Sequence, residues 1–214
     1  MPALDLDVAF DRAISGRRLL EHLYYQRWQD GSLTMDDLGA YAGQYRIIER
    51  CLPGVLAASA ESLGDGTARR LVEANLRDER SPLPHVELFE GFATAVGAKR
   101  EADATEATRD LVALYESTAS LDPVAALSVI GTYELQAAEV AKTKGESLRA
   151  HYGLTEGGTE FWDVHADLEQ THAAWTVEAL RTLRASPTTV EKFAVMSADA
   201  WWAFLDERDD TRSI

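Results

Sequence analysis

Apolar residues recur along this chain at the spacing of amphipathic α-helices, in long stretches separated by short clusters of glycine and proline. A period near 3.6 residues places such side chains on one helix face, and no segment alternates for long as a half-buried β-strand does. The pattern predicts eight helices joined by short connections. Their expected ranges are about 6–29, 34–63, 67–80, 85–96, 104–118, 122–152, 159–185 and 186–206.

Local signals support several of these boundaries. The segment from Thr34 to Asp37 has the pattern of a capping box, and Asp122 precedes Pro123 as a helix cap precedes a proline in the first turn. Pro53 falls inside the second helix and should bend it, because proline lacks the N–H group and clashes with the preceding turn. Without repeats or an interdomain linker, residues 1–214 are predicted to form one all-α domain, a bundle of seven or eight helices.

Charge and cysteine content narrow the function. The 214 residues carry a net charge of −15, so the surface cannot neutralise a phosphate backbone, and nucleic acid is not expected as a partner. The first residues, MPALDLDVAF, are acidic where a targeting peptide is basic, and no stretch is apolar enough for a membrane span. We expect a cytoplasmic protein. A single cysteine, Cys51, excludes a disulfide within the chain and a thiolate zinc cluster.

The clearest candidate for chemistry is the segment FWDVHADLEQTHAAW, which contains His165, Glu169 and His172. At about 100° per residue, these three side chains lie within roughly 60° of one another on a single helix face. Apolar neighbours share that face, so the polar groups should enter the core. Two imidazoles and a carboxylate in this arrangement suggest metal ligands, although short patterns of this kind also arise by chance on solvated helix faces.

Two further segments contribute candidates. In NLRDERSPLPH, Asp78 and Glu79 end one helix and His85 begins the next; taken alone, such residues are more often solvated acids and a helix cap. Glu134 lies within an apolar stripe of the sixth predicted helix, where an ionised carboxylate is costly unless it is paired, metal-bound or directed outward at the edge of the stripe. Together the three segments match a carboxylate-bridged dinuclear iron or manganese site in a helical bundle.

Several segments of the chain, in matching order, resemble the haem-oxygenase-like diiron oxidase and oxygenase superfamily. This superfamily shares its fold with the TenA and PqqC proteins. Within it, the chain is most similar to the CADD-like branch. The matching segments are HLYYQRWQDGSLTMDDLGAYAGQY, NLRDE with a downstream histidine, TYELQAAEVAKTKGESLRAHYGL and FWDVHADLEQTH. The resemblance implies a haem-oxygenase-like fold with six iron ligands. They are Glu79, His85, Glu134, His165, Glu169 and His172.

The chain departs from that pattern in three places. The family usually has aspartate at the position of Glu169, and the extra methylene shifts the ligating oxygen. The loop before His85 is one residue shorter, which makes Asp78 an alternative to Glu79. A histidine-rich stretch of the second helix is replaced by RIIERC, near the place where a substrate would bind.

The resemblance also implies an activity. Members use two iron ions and O2 to oxidise small amines, amino acids or fatty acids, and an external reductant is a further expected partner; manganese would fit the same ligands. In CADD-like proteins, tyrosine and lysine are implicated in making 4-aminobenzoate from the protein's own side chain. Tyr25, Tyr133 and Lys144 fall at matching positions, although ordinary core aromatics and a solvated lysine would explain the same residues.

Other interpretations stay open at this point. His22 is the expected axial ligand if the protein binds haem, and a non-catalytic helical interaction protein would need neither metal nor haem. Cys51 is a poor candidate for a thiaminase nucleophile, since a buried free cysteine is usually a small apolar residue. Large apolar residues of the last helix suggest a homodimer contact. They are Met196, Trp201, Trp202, Phe204 and Leu205.

Overall fold

The computed structural model describes residues 5–212, which form nine α-helices and one 3₁₀ turn without a β-strand. The helices are α1 (Leu6–Ile14), α2 (Leu23–Asp30), α3 (Met35–Ser62), α4 (Thr67–Arg80), α5 (His85–Ala95), α6 (Glu106–Leu121), α7 (Pro123–Tyr152), α8 (Glu156–Thr182) and α9 (Pro187–Asp210), with the 3₁₀ turn at Leu19–Glu21. The all-α prediction is confirmed. Of the predicted domain, residues 1–4 and 213–214 lie outside the described residues, and so does the start of MPALDLDVAF.

The prediction of one first helix over residues 6–29 is wrong. This region consists of α1, the 3₁₀ turn and α2, because Gly16 adopts a positive φ of 71° and Arg18 is extended. Helix α2 therefore needs its own N-terminal cap, and His22 provides it, because His22 Nδ1 accepts the Tyr24 N–H at 3.1 Å. Periodicity of apolar residues continues across the break, which explains why the pattern alone does not reveal it.

The starts of α3 and α7 follow the predicted signals, whereas α8 begins at Glu156, ahead of the predicted start at 159, so that Gly157 and Gly158 lie inside the helix. The Thr34 hydroxyl accepts the Asp37 N–H at 3.1 Å and the Asp37 carboxylate accepts the Thr34 N–H at 2.8 Å, which completes the capping box at the start of α3. This helix continues through Pro53 to its end. The Asp122 carboxylate accepts two backbone N–H groups at the start of α7. Each cap satisfies N–H groups that have no partner within the helix.

One contiguous apolar core joins the helices, and it positions the elements that carry the candidate residues. The longest helices, α7 and α8, pack extensively against each other. Helices α4 and α5 both pack against α8, and α3 lies across α4, α5 and α6. Four helices with predicted ligands therefore meet in the interior. Among residues 5–212, none of the helices combines the length and apolar character that crossing a bilayer requires.

The apolar residues of α9 do not form the exposed face suggested by the sequence. Trp201, Phe204 and Leu205 are buried in the core, because α9 packs against α1, α6 and α7. Met196 is 43% exposed and Trp202 is partly buried against His22. The homodimer stays a prediction, and most of the side chains that suggested it are used within the chain.

The contact between α5 and α8 depends on two glycines. A Cβ atom on Gly91 would collide with the backbone carbonyl oxygen of Gly157, whereas a Cβ atom on Gly157 would meet nothing within 4 Å. Close approach here brings the start of α8 against the helix that carries His85.

We therefore expect Gly91→Ala to lower the free energy of unfolding and Gly157→Ala to raise it. Overpacking costs about 1–3 kcal/mol, while alanine gains up to about 1 kcal/mol over glycine within a helix. Urea unfolding followed by circular dichroism measures both. Equal stabilities for the two variants would contradict the inferred backbone contact.

Candidate metal centre

All six residues predicted as ligands lie in the interior of the bundle, and each is at most 7% exposed. Glu79 comes from the last turn of α4, His85 is the first residue of α5, and Glu134 lies near the middle of α7. Helix α8 supplies His165, Glu169 and His172 from one face. Four helices thus contribute to one site, as the resemblance implies.

The six side chains form two groups of three. In the first group, ligand atoms of Glu79, His85 and His165 all lie within 4.8 Å of one another. The second group contains Glu134, Glu169 and His172 at the same spacing. Each group offers nitrogen and oxygen atoms of the kind that bind iron or manganese.

A hydrogen bond orients His165 of the first group so that its free ring nitrogen can bind a metal ion. His165 Nδ1 lies 2.7 Å from the carbonyl oxygen of Phe161, which accepts its proton and leaves the lone pair on Nε2. His85 Nδ1 lies 3.1 Å from Glu79 Oε2 but makes no hydrogen bond of acceptable geometry. At this distance the carboxylate oxygen and the ring nitrogen are well placed to bind one cation between them.

The second group is held in a similar way. His172 Nδ1 faces Glu169 Oε2 at 3.9 Å, while its Nε2 lies 3.4 Å from Asp78 Oδ2, at the long end of hydrogen bonding. Asp78 is thus a candidate orienting partner of His172, and the geometry favours Glu79 over Asp78 as the ligand from α4. The Asn75 amide donates to Glu134 Oε1 at 2.7 Å and holds that carboxylate.

The carboxylates of the second group suit a cation and are poorly satisfied without one. Glu134 Oε2 and Glu169 Oε2 are buried and have no hydrogen-bond partner. Burial raises the pKa of Glu134, and burial with the neighbouring carboxylates of Glu134 and Glu79 raises the pKa of Glu169 well above its usual range. Buried anions of this kind are costly unless they are protonated, paired or metal-bound. The residues present therefore fit a pair of divalent ions.

One buried carboxylate at the site was not predicted from the sequence. Glu49 of α3 is 5% exposed, its Oε2 has no hydrogen-bond partner, and burial together with Glu79 raises its pKa from the ordinary 4.5 to about 8. It lies in RIIERC, the segment that departs from the family pattern. Its position between Ile48 and Leu52 is the same signal that identified Glu134, a carboxylate in an apolar stripe.

A small cavity of about 30 Å³ lies against these groups. It is roughly the volume that one water molecule takes up in the liquid. Carboxylates and histidines from both groups line it together with Glu49, and the remaining wall is aromatic and aliphatic. That wall consists of Tyr45, Ile48, Leu52, Tyr115, Ile130, Tyr133 and Trp201.

Lys144 occupies a cage of aromatic side chains next to this cavity. It is 1% exposed, and its Nζ donates to the Tyr25 hydroxyl at 2.9 Å and to the Tyr41 hydroxyl at 2.6 Å. Burial lowers the pKa of Lys144 well below its ordinary value. The solvated lysine considered from the sequence is wrong, and Tyr41 is a partner that the sequence did not indicate.

Tyr133 lies on the cavity side of this cage. Its hydroxyl is 2.7 Å from that of Tyr45, and its ring stacks on Trp201 with centroids 4.3 Å apart. The ring centroid of Tyr45 is 5.1 Å from Lys144 Nζ, so Tyr45 separates the cage from the cavity. The structure thus brings Tyr25 and Lys144 into contact and leaves Tyr133 one aromatic ring away.

The residues that suggested other activities have structural roles here. Both ring nitrogens of His22 are engaged, Nδ1 by Tyr24 and Nε2 by Asp206 at 3.0 Å, which does not favour an axial haem ligand. Cys51 is half-buried and burial raises its thiol pKa to about 11, which opposes the thiolate that a nucleophile requires.

Comparison with known proteins gives the family. Residues 40–204 match the model of a family described as iron-containing redox enzymes. The chain belongs to this iron-containing redox enzyme family. As a member, it is an oxidoreductase, and the interior cluster of histidines and carboxylates is its candidate iron site.

Relatives of this redox enzyme share its length as well as its sequence. A protein of Chlamydia pneumoniae named 4-aminobenzoate synthase is 31% identical over 203 residues, which cover 91% of each chain. A protein of Nitrosomonas europaea with the same name is 32% identical, with 92% of this chain and 87% of that protein covered. The similarity therefore spans the elements that carry all six candidate ligands.

Solved structures confirm the haem-oxygenase-like, TenA-like fold. A TenA homologue from Pseudomonas syringae superposes with a TM-score of 0.82 at 16% identity, covering 96% of this chain and 93% of the other. A CADD-like protein from Nostoc punctiforme, of unknown function, gives a TM-score of 0.77 at 17% identity and covers 97% of both chains.

The raised pKa of Glu49 predicts an unusual pH dependence for the metal-free protein. A carboxyl whose pKa is higher in the folded state stabilises the fold below its unfolded value of 4.5, and this contribution is lost as the pH rises through about 8. Burial lowers the pKa of His165 to about 4, so this histidine changes the free energy of unfolding mainly below pH 6.5. We therefore expect the contribution of Glu49 to the free energy of unfolding of the chelator-treated protein to fall between pH 6.5 and pH 8.

Urea unfolding across this pH range tests the effect. Glu49→Gln should flatten the dependence, whereas Glu61→Gln, an exposed change on the same helix, should leave it as in the wild type. The same pH dependence in Glu49→Gln as in the wild type would show that Glu49 is not a buried carboxyl of raised pKa.

Proposed function

We propose that this protein is a nonhaem diiron enzyme that uses O2 to form 4-aminobenzoate from its own Tyr25, with Lys144 beside the reacting ring. Two groups of three ligands support a site for two irons; manganese suits the same donors. The full-length similarity to proteins named 4-aminobenzoate synthase supports the product. An external reductant completes the expected reactants.

The observation that carries the proposal is the contact between Lys144 and Tyr25. The tyrosine side chain contains the carbon skeleton of 4-aminobenzoate, a benzene ring with one further carbon para to the oxygen. Lys144 Nζ lies 2.9 Å from that oxygen, next to the ring carbon that carries nitrogen in the product. Burial lowers the pKa of this amine well below its ordinary value, which makes its lone pair more readily available than that of a solvated lysine.

The size of the cavity favours a side chain over a separate substrate. About 30 Å³ leaves room for a molecule of the size of water or O2 beside the candidate ligands, and not for a second aromatic ring. Tyr25 itself is fully buried within the cage, where water is excluded. Oxidation of another small amine or carboxylate would need the wall of Tyr45 and Trp201 to move.

The chain's own residues prepare the two parts of the site. Six ligands would hold the irons, which supply the redox chemistry with O2 when bound. The Phe161 carbonyl, Asp78 and Asn75 fix the orientation of His165, His172 and Glu134 respectively. The Tyr41 hydroxyl lies 2.6 Å from Lys144 Nζ and 2.8 Å from the Tyr25 hydroxyl, so it contacts both of these groups. These contacts keep the reacting groups rigid in a dry interior.

Isotope labelling tests the origin of the product. Protein produced with ring-¹³C tyrosine, loaded with Fe(II) and exposed to O2 and reductant, should release ¹³C-labelled 4-aminobenzoate in at most one equivalent per chain. Tyr25→Phe should release none, while Tyr152→Phe, which changes a tyrosine of α7 outside the cage, should retain the yield. Mass spectrometry measures both. Unlabelled product, or full yield from Tyr25→Phe, would refute self-derived synthesis.

Metal binding tests the site separately. Anaerobic titration of the metal-free protein with Fe(II) should reach about two equivalents per chain. Glu134→Ala and His172→Ala should both lose iron and O2 consumption, because each removes a ligand from the second group. Glu178→Gln, an exposed change on α8, serves as the control. Two equivalents retained in a Glu134→Ala, His172→Ala double variant would show that the ligands are assigned wrongly.

A further inference from the structure

The proposed centre has an unbalanced charge when only its six ligands are counted. Two divalent ions bring four positive charges, whereas Glu79, Glu134 and Glu169 bring three negative charges and the histidines bind as neutral groups. The remaining charge would lie in a largely apolar interior, where an uncompensated charge is expensive.

Glu49 is placed to supply the missing charge. It is the fourth carboxylate on the wall of the cavity that both ligand groups line, and it approaches from α3, a helix that contributes none of the six ligands. Its Oε2 is buried and makes no hydrogen bond among the described residues. Its oxygens do not complete either close group of three, which places it beside the ligands rather than among them.

The alternatives for balancing the charge are weaker. Asp78 contacts His172, but its side chain is 37% exposed and therefore screened by solvent. Lys144, on the other side of Tyr45, carries no negative charge in either protonation state and therefore cannot offset the metal ions. Besides the three ligand carboxylates, Glu49 is the one buried acidic side chain among the described residues that lines the cavity.

We propose that Glu49 is the fourth anion of the metal centre, and that its charge sets the affinity for the second divalent ion. This inference rests on the proposed two-iron site and extends it to a residue on a further helix. The first ion meets an excess of carboxylates, so its affinity depends little on Glu49. The second ion completes the positive charge, and its affinity depends on all four anions.

Metal affinity provides a test that does not depend on turnover. Anaerobic Fe(II) titration, with Mn(II) as a second probe, should give two ions per chain in the wild type, the second weaker. Glu49→Gln keeps the shape and removes the charge, and it should weaken the second ion about 10- to 100-fold, the range found when a group supporting metal ligands is lost. Glu49→Asp keeps the charge and should recover most of that loss.

Matched controls separate charge from folding. Glu61→Gln removes one acidic charge from an exposed position of the same helix and should leave both affinities unchanged. Circular dichroism confirms that each variant is folded. Wild-type affinity for both ions in Glu49→Gln would overturn the role of Glu49 while leaving the two-iron site intact, as would equal weakening in Glu49→Gln and Glu49→Asp. A wild type that binds fewer than two ions would overturn both the inference and the proposed function.

Discussion

The concentration of carboxylates inside an apolar bundle is the constraint to which the other features of this protein respond. Glu49, Glu79, Glu134 and Glu169 are each at least 93% buried around one small cavity. Like charges this close in a poorly polarisable interior repel strongly, so the metal-free chain must keep several of them protonated. Such an arrangement lowers the stability of the fold, and it is useful only if cations replace those protons.

Helix packing and helix caps outside the site hold the four buried carboxylates close together. Helix α8 supplies three of the ligands, and its position is fixed by its long packing against α7 and by the close approach of Gly91 to Gly157. Caps at Asp37 and Asp122 begin the helices without requiring help from the site. The stability lost in the centre is therefore supplied by elements whose sequences are ordinary for a helical bundle, as is common for functional sites.

Local signals of the sequence predict most of this architecture, because caps, prolines and glycines act within a few residues. The six candidate ligands were also identifiable, since His165, Glu169 and His172 share a helix face and Glu134 interrupts an apolar stripe. The break at Gly16 could not be predicted, because the apolar periodicity continues on either side of it. Likewise, the burial of Trp201 depends on which helices cover α9, and a single helix pattern carries no information on its neighbours.

Two residues show why the site itself extends beyond the sequence motifs. Glu49 and Tyr41 both lie on α3, which contributes no predicted ligand. They are about two turns apart, and Glu49 reaches the cavity whereas Tyr41 reaches the lysine cage. The distance along the chain between Tyr41 and Lys144 is 103 residues, so only tertiary packing brings them together.

The separation between the two parts of the site has a chemical consequence. Tyr45 lies with its hydroxyl against Tyr133 at the cavity and its ring 5.1 Å from Lys144. Groups that would meet O2 are thereby kept one aromatic ring away from the amine and from Tyr25. Tyr45 is 2% exposed, so its ring fills the space between them. In a protein whose own side chain is the proposed substrate, this ring lies between that side chain and the candidate metal ligands.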